Sequence, residues 1–104
     1  MTAYNVVRMR VKAEHEKEFL AAHEEVDPAS MARMKQNGFR KMAVVKTGER
    51  SYCFIAEWDS MEAIVKSRPE MLQSLDRMRG MLEDLGGGLG VTDPVSGEAI
   101  IERS

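Results

Sequence analysis

The stretch SYCFIAEWDSMEA, residues 51–63, joins a β-strand directly to a helix. Ser51 to Trp58 is a short run of mostly aromatic and aliphatic residues, a composition that predicts a strand. Asp59 follows at once as a helix N-cap, and Glu62, three residues later, completes a capping-box pattern. The chain is therefore expected to pass from a strand straight into a helix at this point.

Two further strands precede this segment. Residues 39–47 (FRKMAVVKT) form a second run of strand-forming residues, and only residues 48–50 (GER) separate it from the strand that ends at Trp58. A short link containing glycine between two such runs predicts a hairpin. Tyr4 to Lys12 alternates between apolar and polar residues, and this period of two is typical of a strand.

Helical spacing replaces the period of two after Glu14. Asp27-Pro28 has the pattern of an N-cap followed by proline at the first helical position. We therefore expect the first helix to be bent or split at Asp27, with a second helical piece that ends at Gly38. The apolar face of the first piece has members at i, i+1, i+4 and i+7, namely Phe19, Leu20, His23 and Val26.

A second long helical pattern follows residue 59. Pro69 is expected to break or kink it at Arg68. Beyond the proline, apolar residues recur at three- and four-residue spacing from Met71 to Leu85, and the glycines at 86–88 are expected to end the helix.

The last 16 residues are expected to contain two short extended pieces joined by a turn. Residues 89–92 are a short strand candidate, and residues 93–97 (DPVSG) have the composition of a turn. Residues 99–102 (AIIE) are apolar enough that we expect them to pair as an edge strand of the sheet, with this chain or with a partner chain.

The order of elements is β-α-β-β-α-β with a C-terminal extension. Its two halves each repeat a β-α-β plan, and 104 residues suffice for one domain, residues 1–104. Such a split βαβ arrangement gives an antiparallel four-stranded sheet with both helices on one face. The sequence therefore predicts a ferredoxin-like α+β fold.

Both faces of the predicted sheet carry apolar side chains. Strand 51–58 has Cys53 and Ile55 on one face, and the opposite face has four aromatic or small residues, Tyr52, Phe54, Ala56 and Trp58. Strand 39–47 is expected to place Phe39, Ala43 and Val45 on one side and Met42 and Val44 on the other. Since the helices cover only one face, we expect a second copy of the sheet to cover the other, in a homodimer.

Composition excludes several classes of function. A net charge of −2 and balanced acidic and basic residues give no footprint for nucleic acid. A single cysteine excludes an internal disulfide and Cys-pair metal motifs. The longest apolar run, residues 52–56, is too short to span a membrane, and the N-terminus has no export signal. We therefore expect a cytoplasmic protein that binds neither nucleic acid nor membranes.

Residues 51–63 resemble the antibiotic biosynthesis monooxygenase family of the dimeric α+β barrel superfamily. The shared features are a strand that ends in Glu57 and Trp58, an acidic residue and serine after it, and a helix with the early alanine Ala63. The element order extends the resemblance over residues 4–103. The family's aromatic-polyketide oxygenases pair this tryptophan with an asparagine and a tyrosine, where this chain has Phe54 and Ile64.

The resemblance implies a monooxygenase that uses no cofactor and acts on a small aromatic or polyketide-like molecule. Such an enzyme deprotonates a phenol-like substrate, and the electron-rich anion reacts with O₂. Two alternatives stay open on the same scaffold. One is a non-catalytic, stress-responsive or ligand-binding dimer, and the other is an isomerase or decarboxylase.

The candidate catalytic residues are His23 and Trp58. His23 lies on the apolar face of its helix, and histidine is the side chain that exchanges protons near neutral pH. Trp58 can stack on an aromatic ligand, and Phe54, Phe19 and Met78 are candidate substrate-binding residues. The alternative for each of these residues is ordinary packing in the core.

Methionine is abundant, with nine in the chain. Five of them fall on inward helical faces, where they fill a core or line a cavity for varied hydrophobic ligands: Met31, Met34, Met71, Met78 and Met81. A metal site is not expected, because eight helical residues separate His15 from His23 by ~12 Å.

Overall fold

The computed structural model describes residues 1–25 and 27–104. The strands in this part of the chain are β1 (Ala3–Arg10), β2 (Phe39–Gly48), β3 (Ser51–Trp58) and β4 (Asp93–Glu98). The helices are α1 (Glu16–Glu24), α2 (Pro28–Gln36) and α3 (Met61–Met78), and a short 3₁₀ turn at Arg79–Met81 follows α3.

The four strands form one antiparallel sheet in the order β2-β3-β1-β4. β1 and β3 are central, and the β2–β3 hairpin turns at residues 48–51 as predicted. All three helices pack on the face that carries Trp58 and Tyr52. This is the ferredoxin-like α+β arrangement that the order of elements predicted.

The predicted split of the first helix at Asp27 is confirmed. α1 ends at Glu24, and α2 begins at Pro28 with Asp27 as its N-cap, whose Oδ1 accepts a hydrogen bond from the Ala29 amide at 3.2 Å. Val26, expected on the apolar face of this helix, lies outside the described residues.

The start of α3 differs by one residue from the prediction. Ser60, not Asp59, is the N-cap, and its Oγ accepts from the amide of Ala63 at 3.1 Å. The Asp59 carboxylate instead accepts from Arg40 Nε at 2.7 Å. Asp59 therefore ties the end of β3 to β2, while the shorter serine side chain caps the helix.

Of the break or kink predicted at Arg68, the break is wrong, because α3 continues through Pro69 to Met78. Pro69 and Val65, one turn earlier, are both exposed, so the hydrogen bond that proline cannot donate is lost on the solvent side of the helix. The predicted end at residues 86–88 is also wrong. After the 3₁₀ turn, Leu82 is fully buried and bridges to Val11 in extended conformation.

The C-terminal predictions require the largest correction. Residues 93–97, expected to be a turn, belong to the edge strand β4, and neither residues 89–92 nor residues 99–102 form a strand. Pairing with β1 and the ion pair between Arg8 and Asp93 outweigh the local turn propensity. Beyond β4, the Ala99 amide donates to the Thr2 carbonyl at 2.8 Å, and the tail then leaves the sheet.

A β-bulge at Arg40 changes which face Phe39 occupies. Phe39 pairs with Trp58, but the next pair is Lys41 with Glu57, so Arg40 is the extra residue. Phe39 therefore shares the helix-facing side with Met42 and Val44, not with Ala43 and Val45 as expected. The alternation predicted for β3 and for Met42 against Ala43 is otherwise observed.

The core consists of two buried clusters on the helix-facing side of the sheet. One contains Trp58 and Ile64, and the other contains Phe19 and Tyr52. Phe54 is half-buried and packs against both clusters. A cavity opens where the two clusters separate, and it is the feature that locates the candidate site.

Candidate functional site

A cavity of about 840 Å³ lies between the sheet and the three helices. Its volume is in the range of sites that hold drug-sized ligands. Side chains of Asn5, His23, Phe54 and Trp58 line it together. Seven of the nine methionines also line it: Met9, Met31, Met34, Met42, Met61, Met71 and Met78. The soft thioethers give the cavity an apolar, adaptable wall.

Asn5 places a polar amide in this apolar wall. The side chain of Trp58 donates its Nε1 hydrogen to Asn5 Oδ1 at 2.7 Å. Because indole nitrogen only donates, the amide oxygen must face Trp58 and the amide NH₂ must face away. Asn5 Nδ2 then meets only the thioether of Met71, at 3.9 Å, which is a weak acceptor. Asn5 is 5% exposed, so its donor capacity is buried and largely unused.

Strand register explains how Asn5 reaches this position. Asn5 on β1 pairs with Ala56 on β3. Ala56 in turn precedes Trp58 by two residues on β3. Sequence reasoning missed Asn5 because a polar residue in an alternating strand suggests solvent exposure. The signal that was available is its parity, since Asn5 alternates in step with Val7 and Met9, which face the helices.

His23 is held by its own helix. Its Nδ1 lies 2.9 Å from the Phe19 carbonyl oxygen, which only accepts, so in the neutral ring Nδ1 carries the proton. The other ring nitrogen, Nε2, then has a free lone pair. The His23 ring lies 6.3 Å from the Phe54 ring, centroid to centroid. His23 therefore lies at the cavity wall with its ring orientation fixed by the Phe19 carbonyl.

The structure brings most of the residues expected at the site to one cavity. His23, Trp58, Phe54 and Met78 all line it. Trp58 is also fully buried and packs edge-on against Phe39 at 5.2 Å.

Phe19 is placed differently. It is fully buried beneath the cavity wall and is not among the residues that line the cavity. Its ring packs against His23 at 4.5 Å and Tyr52 at 5.0 Å, and its carbonyl orients His23. Phe19 therefore positions another residue of the site.

Two sets of hydrogen-bonded side chains connect α1 and α2 to the rest of the fold. The carboxylate of Glu70 accepts from Arg33 Nε at 2.5 Å and from Ser30 Oγ at 2.8 Å, and these bonds hold the pKa of Glu70 below its usual range. Tyr52 donates to Glu16 at 2.6 Å, which lowers the pKa of Glu16 and raises that of Tyr52. These pairs fix α1 and α2 around the cavity.

Two further observations concern ligands and membranes. Among residues 1–25 and 27–104, no three His, Cys, Asp or Glu side chains are placed to share a metal ion. None of the helices described above is long and apolar enough to cross a membrane.

The sequence of the site region matches a known family. A model of the family described as antibiotic biosynthesis monooxygenase matches residues 2–83. The chain belongs to this family. The matched region includes Asn5, His23 and Trp58, and the resemblance carried by residues 51–63 is thereby confirmed. No curated protein sequence matches the chain.

Several solved structures have a fold similar to that of this chain. A dimeric ferredoxin-like protein from an uncultured marine organism is 15% identical with a TM-score of 0.76, over 99% of this chain and 91% of that chain. SnoaB, a cofactor-independent oxygenase from Streptomyces nogalater, is 17% identical with a TM-score of 0.68, over 97% and 95%. Rv0793 from Mycobacterium tuberculosis is 12% identical with a TM-score of 0.72, over 100% of both chains. These likenesses support the fold.

Proposed function

We propose that this family member is a cofactor-independent monooxygenase that acts on a small aromatic or polyketide-like molecule in the cavity. The observation that carries the proposal is the pairing of a proton acceptor with an unused donor in one apolar cavity. His23 Nε2 is the acceptor, and the Asn5 amide is the donor. The family match and the oxygenase SnoaB among the structural neighbours support the same reaction class.

The first step is the removal of a proton from the substrate. A phenol-like hydroxyl gives its proton to Nε2 of His23, and the resulting imidazolium stays hydrogen-bonded to the Phe19 carbonyl. The negative charge that forms on the substrate oxygen accepts a hydrogen bond from Asn5 Nδ2. Because Trp58 holds the other end of the amide, this donor is oriented before the substrate arrives.

The second step is the reaction of the anion with O₂, which is the co-substrate. A ring carbon of the phenolate forms a C–O bond to O₂, and the His23 imidazolium returns its proton to the outer oxygen. The O–O bond then breaks as the same carbon loses its hydrogen, giving a quinone carbonyl and water. The substrate loses four electrons, and the two oxygen atoms accept all four. His23 ends the cycle neutral.

Asn5 takes the place of a residue that the family's polyketide oxygenases supply from another strand. Those enzymes have an asparagine at the position of Phe54, four residues before the tryptophan. Here the amide comes from β1, opposite Ala56, and accepts a hydrogen bond from the indole of Trp58. The same pairing of amide and indole is therefore available to an enzyme with phenylalanine at position 54.

We also infer that the protein acts as a homodimer through the outer face of the sheet. This face carries Val6 and Ile55, both half-buried, and Val45 and Val95, both exposed. The single chain has 6805 Å² of accessible surface, whereas a monomer of 11.7 kDa is expected to have about 5,900 Å². One partner buries about 800 Å² in a standard interface. A neighbour described as dimeric supports this inference.

We also propose that the protein is located in the cytoplasm. Cys53 is a free thiol and the chain has no other cysteine, which suits a reducing environment such as the cytoplasm.

Turnover of anthrone tests the proposed function. Anthrone is a three-ring ketone that enolises to a phenol, and its oxidation by O₂ gives anthraquinone and water. We expect the protein to consume anthrone and O₂ in equal amounts, faster than the spontaneous reaction. His23→Ala is expected to lower kcat about 100-fold, the loss typical of a missing general base. Trp58→Phe is expected to lower it less.

His15→Ala is the matched control, because His15 is the N-cap residue at the opposite, N-terminal end of the same helix and does not line the cavity. It is expected to retain native kcat. Equal turnover by native protein and His23→Ala would contradict the role of His23. Binding of anthrone without O₂ consumption would instead favour the non-catalytic, ligand-binding alternative.

A further inference from the structure

Arg68 is a cation within an otherwise apolar helical stripe. Nine α3 residues line the cavity, and six of them recur along one stripe at spacings of three and four, namely Met61, Ile64, Arg68, Met71, Leu75 and Met78. Five of these six are apolar, and Arg68 is near the centre of the row. An arginine at such a position lays its aliphatic stem on the apolar wall and keeps its guanidinium at the water edge. Arg68 is exposed, as this arrangement requires.

Most arginines of the molecule already have a carboxylate partner. Six of the nine form ion pairs: Arg8, Arg10, Arg33, Arg40, Arg50 and Arg79. Within the described ranges, Arg68 has neither an ion pair nor a side-chain hydrogen bond. Its guanidinium therefore has all five donors free at the edge of the cavity.

Arg77 also lines the cavity without an ion pair, but its surroundings differ. Its charge helps to lower the pKa of Glu70, so Arg77 lies close enough to act on an existing carboxylate. It is nine residues beyond Arg68, about 13.5 Å along the helix axis, which is too far for both to hold one small anion.

Two acidic residues also line the cavity. Glu25 and Asp27 line the corner between α1 and α2, and the Asp27 carboxylate also caps α2. These two carboxylates repel an anion, whereas Arg68, which has no ion pair among the described residues, attracts one. Arg68 is thus a position in the cavity wall at which an anionic group of a ligand gains a charge partner.

We propose that Arg68 binds an anionic substituent of the ligand, so that the ligand is an apolar ring system with a carboxylate or similar charged group at the α3 side of the cavity. This inference rests on the proposed function, because it assumes that the cavity is a ligand site. It adds the chemical class of the ligand: an aromatic acid rather than a neutral aromatic molecule. Arg68 then selects the ligand, while Asn5 and His23 act at the reacting end.

Two fluorescent probes with the same ring skeleton test the proposal. Anilinonaphthalene sulfonate carries one negative charge, and phenylnaphthylamine is the uncharged parent. We expect the sulfonate to bind the native protein more tightly and the two probes to compete. Arg68→Gln is expected to weaken sulfonate binding about fivefold, the effect of losing a partly exposed ion pair, and to leave the neutral probe unchanged. Arg68→Lys is expected to recover part of the loss.

Arg103→Gln is the charge-matched control, since Arg103 has no ion pair in the part of the chain that the structure describes and does not line this cavity. It is expected to leave both affinities unchanged. An equal effect of Arg68→Gln on both probes, or an equal loss of sulfonate binding in Arg77→Gln or Arg103→Gln, would overturn the proposal while the cavity remains a ligand site. Failure of the neutral probe to bind the native protein would contradict the proposed function itself, and this inference with it.

Discussion

Trp58 at the end of β3 donates a hydrogen bond of 2.7 Å to Asn5 on β1, and this bond sets the polarity of the cavity wall. Both partners are at least 95% buried. The bond satisfies the indole, fixes the orientation of the amide, and leaves the NH₂ group with only the weak acceptor of the Met71 thioether. The core residue Trp58 and the cavity residue Asn5 thus hold each other in place.

Asn5→Leu is expected to destabilise the protein by about 1–3 kcal/mol, because the buried Trp58 Nε1 loses its acceptor. Trp58→Phe is expected to cost at least as much, through the lost packing volume and the unpaired Asn5 oxygen. The loss in free energy of unfolding of the double variant is expected to be smaller than the sum of the two single losses. A double-mutant cycle measured by urea unfolding checks this. Strict additivity would contradict a direct coupling of the two residues.

Acid is expected to destabilise the fold through Glu70. Arg33 and then Ser30 lower the pKa of Glu70 from its ordinary value of 4.5. A carboxyl whose pKa is lower in the folded state stabilises the fold above 4.5, and this contribution is lost as the pH falls through the lowered value. Stability of the native protein is therefore expected to fall below pH 4.5.

Glu70→Gln tests the assignment, because its amide does not titrate. Its free energy of unfolding, measured by urea at neutral pH and below pH 4.5, is expected to change less with pH than that of native protein. Glu62→Gln is the control, since Glu62 is exposed and pairs only with Lys66 one turn away. If both variants showed the native pH dependence, Glu70 would not be its source.

Gly38 is expected to tolerate no side chain. Its φ is +110°, and a Cβ there would lie 2.9 Å from Ala63 Cβ and 3.1 Å from Asp59 Oδ2. Gly38→Ala is expected to destabilise by about 2 kcal/mol or more, from backbone strain and the clash with α3. Gly80→Ala, where nothing lies within 4 Å, is expected to be neutral or slightly stabilising in the same thermal unfolding assay. Equal effects would contradict the packing of Gly38 against α3.

The dimer inference predicts that a charge on the outer sheet face separates the subunits. Ile55→Lys is expected to sediment as a monomer at micromolar concentration, whereas native protein sediments as a dimer. Val65→Lys places the same charge on α3, where Val65 is exposed and lies off the sheet, and is expected to stay dimeric. A native protein that sediments as a monomer would contradict the inference.

Much of the fold could be predicted because local patterns and tertiary structure agree. The alternation in β1 and β3 and the Asp27-Pro28 cap all survive folding unchanged. β4 could not be predicted, since Pro94 and Gly97 favour a turn locally and only the open edge of β1 makes a strand of them. The prediction of β4 therefore failed because this strand depends on pairing with a segment distant in sequence, which local composition does not indicate.

The candidate site was predictable in part for a related reason. His23 was expected at a cavity from its residue type and helical spacing, and Trp58 from its residue type and the family resemblance, and both line the cavity. Asn5 was not, because its role depends on a hydrogen bond to a residue more than fifty positions away. Phe39 was assigned to the wrong face because the bulge at Arg40 adds one residue to the strand.

Labelling with ¹⁸O₂ tests the central claim most directly. The account predicts that anthraquinone formed by the native protein under ¹⁸O₂ carries one ¹⁸O atom, with the second atom released as water. Anthraquinone without ¹⁸O, or hydrogen peroxide released in place of water, would contradict a monooxygenase reaction in the Asn5–His23 cavity.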